Sequence, residues 1–336
     1  MGRCLTSYRT VCVIEGGVIM KWEDLRRSRN VQDRRDQSTS NYGRGGSRNT
    51  SSSGMGGLIN LLFFMPGKGK WIVLAIILMS LIGGGTGLGD LFGGINSNVN
   101  EPNSSVQVNH DGQQSTEEDV TDSEYQFVSA VLASTEDYWR EAFQAENANY
   151  SEPDMVIYSG GTATSGCGFG SSQAGPFYCP ADETIYIDLS FWRELSQKYG
   201  APGDFAMAYV IAHEVGHHIQ NELGVMDEYN EVRQTLSKSR ANQLNVRLEL
   251  QADYFAGVWA KYAEGEGLLE AGDIEEALQA AFAVGDDTIQ EQTMGRTVPD
   301  SFTHGTAQQR QGWFMRGFEY GDFDHGDTFN EYLEFE

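Results

Sequence analysis

The sequence predicts a helix-rich α+β domain behind a single N-terminal transmembrane helix. Three observations predict it. Short β-rich segments lie among apolar residues that recur at helical spacing. An uninterrupted stretch between Pro202-Gly203 and Gly224 reads as one long helix. An uncharged apolar run fills positions 71–89 and has the length of one bilayer crossing.

The charge divides along the chain in the same way. Residues 1–70 hold twelve Lys/Arg against five Asp/Glu, and the remainder holds eleven against 43. The basic part is expected to be a largely disordered cytoplasmic segment, with Ser, Gly and Asn dominating 36–57. Residues 1–19 precede Met20-Lys21-Trp22 and suggest a start assigned too early. Positions 58–65 are apolar but too short to span, and Pro66-Gly67 stops them, so they read as interfacial. Lys68 and Lys70 flank the 71–89 run on its N-terminal side. The positive-inside bias then puts the N-terminus in the cytoplasm and the acidic remainder outside. That acidic surface excludes nucleic acid and anionic lipid as its partners.

A polar linker, 90–122, leads into a domain over 123–325, long enough for one core, and 326–336 reads as an acidic tail. Val128, Val131, Leu132, Trp139 and Phe143 predict a helix over 123–146 that packs on the core. Segments 155–158 and 184–189 predict strands, the second alternating Ile185 and Ile187 with polar neighbours and being the candidate edge strand with which an extended backbone could pair. Between them Cys167 and Cys179 bracket a Gly/Ser-rich loop. On the outer, oxidising side a disulfide is expected there; no C-x-x-C pair supports a zinc site, and two free thiols are the remaining reading. Further helices are expected at 190–199, 241–264, 273–283 and 306–319.

The chemistry lies in the helix over 204–223, where Asp204 is a candidate N-cap and Gly224 a candidate stop. It carries His213-Glu214-Val215-Gly216-His217. Histidines four apart on a helix point the same way, so His213 and His217 can bind one metal ion. Glu214 lies where it can take a proton from a metal-bound water, and Zn²⁺ brings the pKa of such a water towards 7. The implied reaction is metal-assisted hydrolysis of a peptide bond. A third ligand is needed, and Glu249 and Asp253 share a face of the 241–264 helix. Glu249 is the expected ligand and Asp253 the acceptor of a ligand histidine's free N–H. Asp253 as ligand is the alternative, and two solvated helix acids the blandest reading. Near a metal, His304 could donate to the oxyanion formed on an attacked amide, or it is simply a loop or helix-cap histidine. Arg310 could hold an acid or the chain in place. His218 points about 100° away from His217, and is expected at the helix surface or behind the ligands rather than on the metal.

These residues resemble the YpfJ-type family of neutral zinc metallopeptidases, which is bacterial and membrane-anchored. The resemblance rests on His213-Glu214-Val215-Gly216-His217-His218, Glu249-Leu250-Gln251-Ala252-Asp253, Phe255-Ala256-Gly257 and Ser301-Phe302-Thr303-His304-Gly305-Thr306. It extends to Gly166-Cys167-Gly168, Gly175-Pro176-Phe177-Tyr178-Cys179-Pro180 and Asn30-Val31-Gln32-Asp33-Arg34-Arg35. A more distant likeness is to CAAX-prenyl-endopeptidase-type gluzincins, where HExxH is followed by ExxxD and by Thr-His with Arg six residues on, as Thr303-His304 and Arg310 stand here. The resemblance implies a zincin-like metalloprotease domain, one Zn²⁺ per chain with Glu249 as third ligand, an active-site role for His304, and peptide or protein substrates. It also implies a bacterial inner membrane with the catalytic domain extracytoplasmic. A zinc-bound scaffold that cleaves nothing is the alternative; Glu214 speaks against it, because a scaffold needs no base there.

Overall fold

This computed structural model describes residues 20–36 and 117–330. In chain order they form β1 (Val31–Asp33), α1 (Glu117–Ala145), β2 (Asp154–Tyr158), β3 (Gly161–Ala163), β4 (Phe169–Ser171), β5 (Phe177–Cys179) and β6 (Thr184–Asp188). The helices α2 (Ser190–Gln197), α3 (Asp204–Glu222), α4 (Val225–Arg233), α5 (Lys238–Gly265), α6 (Asp273–Ala283), α7 (Asp286–Met294) and α8 (Ala307–Tyr320) follow. The helix-rich α+β class is as expected. Among the described residues no helix is long and apolar enough to cross a membrane. The 71–89 run, the 58–65 run and the 36–57 stretch beyond Asp36 lie outside them.

Strand order is β1-β2-β6-β5, with β1, β2 and β6 parallel and β5 antiparallel on β6. Strand β6 is buried along its whole length, as the middle of a sheet covered on both faces requires. A separate hairpin, β3–β4, lies between β2 and β5 in sequence. Its loop is tied to the end of β5 by a Cys167–Cys179 disulfide with Cα atoms 5.9 Å apart.

Helix α3 is apolar nearly all round, and 16 of its residues are buried. Such a helix needs packing partners on every side. It lies against α5, α6, α1 and β5. Its approach to α5 is close enough that a Cβ at Gly216 would stand 2.8 Å from the Ala252 carbonyl oxygen. Helices α5 and α8 meet closer still: a Cβ at Gly257 would fall 1.9 Å from Phe314 O, and one at Gly317 the same distance from Tyr254 O. These glycines let two backbones touch, which fixes the second helix of the site against the first. Helix α8 begins as its Thr-x-x-Gln signature dictates, with Gln309 N donating to Thr306 Oγ1 and Thr306 N to Gln309 Oε1.

Four expectations need correction. Segment 184–189 is no edge strand, because β2 and β5 occupy both its sides; β1 and β5 hold the two edges. Residues 20–36, expected within a largely disordered segment, are built into the domain: β1 pairs with β2, Met20 is fully buried, and Arg26 pairs with Glu136 at 2.7 Å and Asp137 at 2.8 Å. Residues 326–330, expected in a tail, lie on α5, where Thr328 Oγ1 donates to Arg247 O at 2.6 Å. Asp204 is the first residue of α3 rather than its cap, and its side chain caps nothing.

Candidate metal centre

Helical spacing brings His213 and His217 together edge to face, with ring centroids 4.8 Å apart. Each ring has its Nδ1 occupied: His213 donates to Asp253 Oδ1 at 2.8 Å and His217 to Gln220 Oε1 at 2.8 Å. This fixes both tautomers and leaves both Nε2 atoms as free donors for a metal. They face Glu249 Oε2 at 3.3 and 3.5 Å. Two ligand atoms at zinc–ligand bond lengths and a tetrahedral angle stand about 3.4 Å apart. His213, His217 and Glu249 therefore fit one Zn²⁺ by donor type and by spacing, and they form a potential metal-binding cluster among the described residues. Asp253 sits behind the cluster and not in it.

The support behind His213 is a buried ionic group. Asp253 is fully buried and accepts from Tyr209 Oη at 2.6 Å, Arg310 Nη2 at 2.9 Å and, on its other oxygen, Arg310 Nε at 2.8 Å. Burial works to raise its pKa, but the charges of Arg310 and His213 outweigh burial and hold it at about 2. Burial likewise opposes protonation of His213, while the charge and hydrogen bond of Asp253, and then Glu249, push its pKa up to about 9. The same pull makes the ring a more basic ligand. Glu249 is held well below the usual carboxylate range, since the two histidines overcome its burial.

Glu214 lines the same cleft as His213, His217, Glu249, His304 and Arg310, a space of about 520 Å³. The strand β5 and Gly175-Pro176 border it, as do Phe191, Tyr199, Asn230 and Asn245. A larger cavity, about 1310 Å³ and lined among others by Tyr138, Phe143 and Phe255, contains none of the three donors.

His304 stands half-exposed at the cleft mouth. Its backbone N–H and those of Thr303 and Gly305 converge on Asp286 Oδ2 at 2.6, 2.6 and 3.1 Å, so the first residue of α7 holds the 303–305 loop. Its Nδ1 lies 3.0 Å from Thr303 Oγ1 and 3.4 Å from Asp286 Oδ1. His218 is not at the surface. It is fully buried, with Tyr178 Oη 3.0 Å from Nδ1 and Ser151 O 2.7 Å from Nε2, and it ties α3 to the edge strand β5. Burial lowers its pKa.

Sequence reasoning missed Tyr209, Gln220 and Asp286. Two had a signal: Tyr209 precedes His213 by four and Gln220 follows His217 by three, so each shares a ligand's helix face. Gln220 also donates to Leu248 O at 2.6 Å, which joins α3 to α5 one residue before Glu249. Asp286 had none.

A family profile described as "Putative neutral zinc metallopeptidase" matches residues 20–329. "Uncharacterized protein YpfJ" of Escherichia coli (strain K12) is 45% identical over 313 residues, covering 93% of this chain and 99% of that protein. An uncharacterized protein of Mycobacterium tuberculosis is 48% identical over 192 residues, 54% of this chain and 64% of its own length. No solved structure matches the chain.

Proposed function

Since the chain belongs to the family described as "Putative neutral zinc metallopeptidase", we propose that it is a membrane-attached zinc peptidase with Glu214 as its general base. The observation that carries this is the Nε2–Nε2–Oε2 triangle of His213, His217 and Glu249, whose spacing suits zinc, with Glu214 on the same cleft. Zinc held there supplies Lewis acidity, which polarises an amide carbonyl and acidifies water near neutral pH.

The chain's own residues do the rest. Asp253 and Gln220 lock the two imidazoles with Nε2 towards the cleft. Glu214 accepts the proton of the attacking water and delivers it to the departing amine. His304, with Nδ1 turned to Thr303 and Asp286, keeps Nε2 for the oxyanion. An extended substrate backbone pairs with β5, the sheet edge that borders the cleft, while Phe177, Phe191 and Tyr199 offer apolar walls for its side chains. The 71–89 run attaches the protein to a bilayer.

Glu214→Gln is the deciding variant. It should retain zinc and the wild-type melting temperature while hydrolysis of a mixed peptide library falls by about 10²-fold or more. Equal turnover by wild type and variant would remove Glu214 as base. Zinc-loaded wild type with no turnover would instead favour the scaffold reading.

A further inference from the structure

Away from the cleft, three carboxyl groups converge. Oxygens of Asp204, Asp273 and Glu276 lie within 4.8 Å of one another. Asp204 is the first residue of α3 and Asp273 the first of α6, so two helix N-termini meet here. Their dipoles offset only part of the negative charge. Asp273 keeps one hydrogen bond, from Glu270 N at 2.9 Å, and Glu276 keeps one, from Phe205 N at 3.1 Å. Asp204 is 93% buried, and neither of its oxygens has a hydrogen bond of full geometry; the backbone N–H groups of Asp204, Met20 and Phe205 bear on it only loosely. Gly203 leaves the room Glu276 occupies; a Cβ there would lie 2.0 Å from the carboxyl carbon. Buried carboxylates at this density call for a cation.

Lys21 does not supply it. Its Nζ is turned outward to Glu270 at 2.8 Å. Its backbone N–H is used by Leu268 O at 2.8 Å, which pins residue 21 beside the loop that leads into α6. Among the described residues the nitrogen that can gain a charge here is that of Met20, fully buried, whose backbone N–H is one of those bearing on the Asp204 carboxyl group. In mid-chain that nitrogen is a neutral amide with one hydrogen. As a chain start it is an ammonium group with three donors and a full charge.

We propose that Asp204, Asp273 and Glu276 form a binding site for one cation, the α-ammonium group of Met20 in a chain that starts at that residue. The family match also begins at residue 20. With an amide at Met20, burial and then the neighbouring Asp273 raise Asp204 to about 6, and burial raises Glu276 to about 7. Two carboxyls that resist ionisation are what an acid cluster without its counter-ion shows. The first turns of α3, which carries His213 and His217, would thereby be anchored by the N-terminus.

The test compares full-length proteins starting at Met1 and at Met20, each with and without Asp204→Asn. The Met20 chain should melt higher by about 4 °C or more. Asp204→Asn should lower the melting point of the Met20 chain by a similar amount and leave the longer chain unchanged or more stable. Glu276→Gln should repeat the pattern if Asp204→Asn fails to fold. The protein expressed from its own gene should yield an N-terminal peptide that begins at Met20 with a free amino group. Equal effects of Asp204→Asn in both chains would overturn the proposal. So would a native first residue upstream of Met20. An Asp204-dependent stabilisation of the longer chain by millimolar Mg²⁺, Ca²⁺ or Mn²⁺ would overturn it in favour of a metal.

Discussion

Two groups of buried carboxylates pack against the same helix, α3, and behave oppositely. Beside the middle of α3, Asp253 of α5 is enclosed by Arg310, His213 and Tyr209 and is held at about 2. At its N-terminal end, Asp204 and Glu276 have no cationic partner among the described residues, and burial and their acidic neighbours push them up to about 6 and about 7. Both groups are desolvated, and desolvation is the first cause of shift in each. The sign of the outcome is decided by the cation, which is present in the first group and missing from the second. A buried acid is therefore informative through its partner: where the partner exists it organises a ligand, and where it is lacking the structure asks what should stand there.

Removing the cation from the first group should turn it into the second. Arg310→Met strands Asp253 with His213 alone, and breaking a buried pair in this way costs about 3–5 kcal/mol. The melting temperature should drop on the order of 10 °C, measured in the metal-free protein so that zinc does not mask it. An unchanged melting point would show that Asp253 carries no buried charge.

A smaller effect separates the groups by pH. Asp204 and Glu276 bind protons more tightly in the folded chain than in the unfolded one, where the values are about 4. With residues 1–19 present, their contribution is greatest in acid and is lost as pH rises from about 4 to about 7. Asp253 has the opposite sign: its contribution holds above about pH 4 and is lost as pH falls through about 2. Chemical denaturation at pH 4.5 and pH 7, numbers chosen roughly to bracket that window, should show the decline in the longer chain and its flattening in the chain that starts at Met20. A decline of equal size in both would unlink the acids from Met20.

The smallest expected change sharpens the first group. Tyr209→Phe deletes one donor to Asp253 and leaves Arg310 and His213 in place. The cost should be about 1 kcal/mol, with zinc content unchanged by metal analysis. Loss of zinc would mean that Tyr209 positions His213 as well as satisfying Asp253.

The contrast also marks what the sequence discloses. His213, His217 and Glu249 were legible because helical periodicity alone puts two ligands on one face and the third pattern sits on another strong helix. The role of Asp253 was legible from its spacing to Glu249, but its partner Arg310 is 57 residues away and only the packing of α5 on α8 joins them. The strand β5 is three residues long and set off by Pro176 and Pro180, so no alternation could develop, and the edge role fell to the more regular β6. Helices α4 and α7 are short and polar, without a broad apolar stripe. Strand β1 pairs with a partner more than 120 residues away, and Val31-Gln32-Asp33 shows no pattern of its own.

That strand constrains the path of the whole chain. Val31 lies beside Met155 and Asp33 beside Ile157, so the segment 37–116 leaves and re-enters one folded body. Both of its ends must emerge in the same compartment. Whatever its route, it can traverse a bilayer only an even number of times, zero included. The single crossing expected from the 71–89 run lies outside the described residues, and with it a bilayer would stand between β1 and the rest of the domain. Parting β1 from the domain would leave β2 as an edge of the sheet and residues 155–157 without that neighbour.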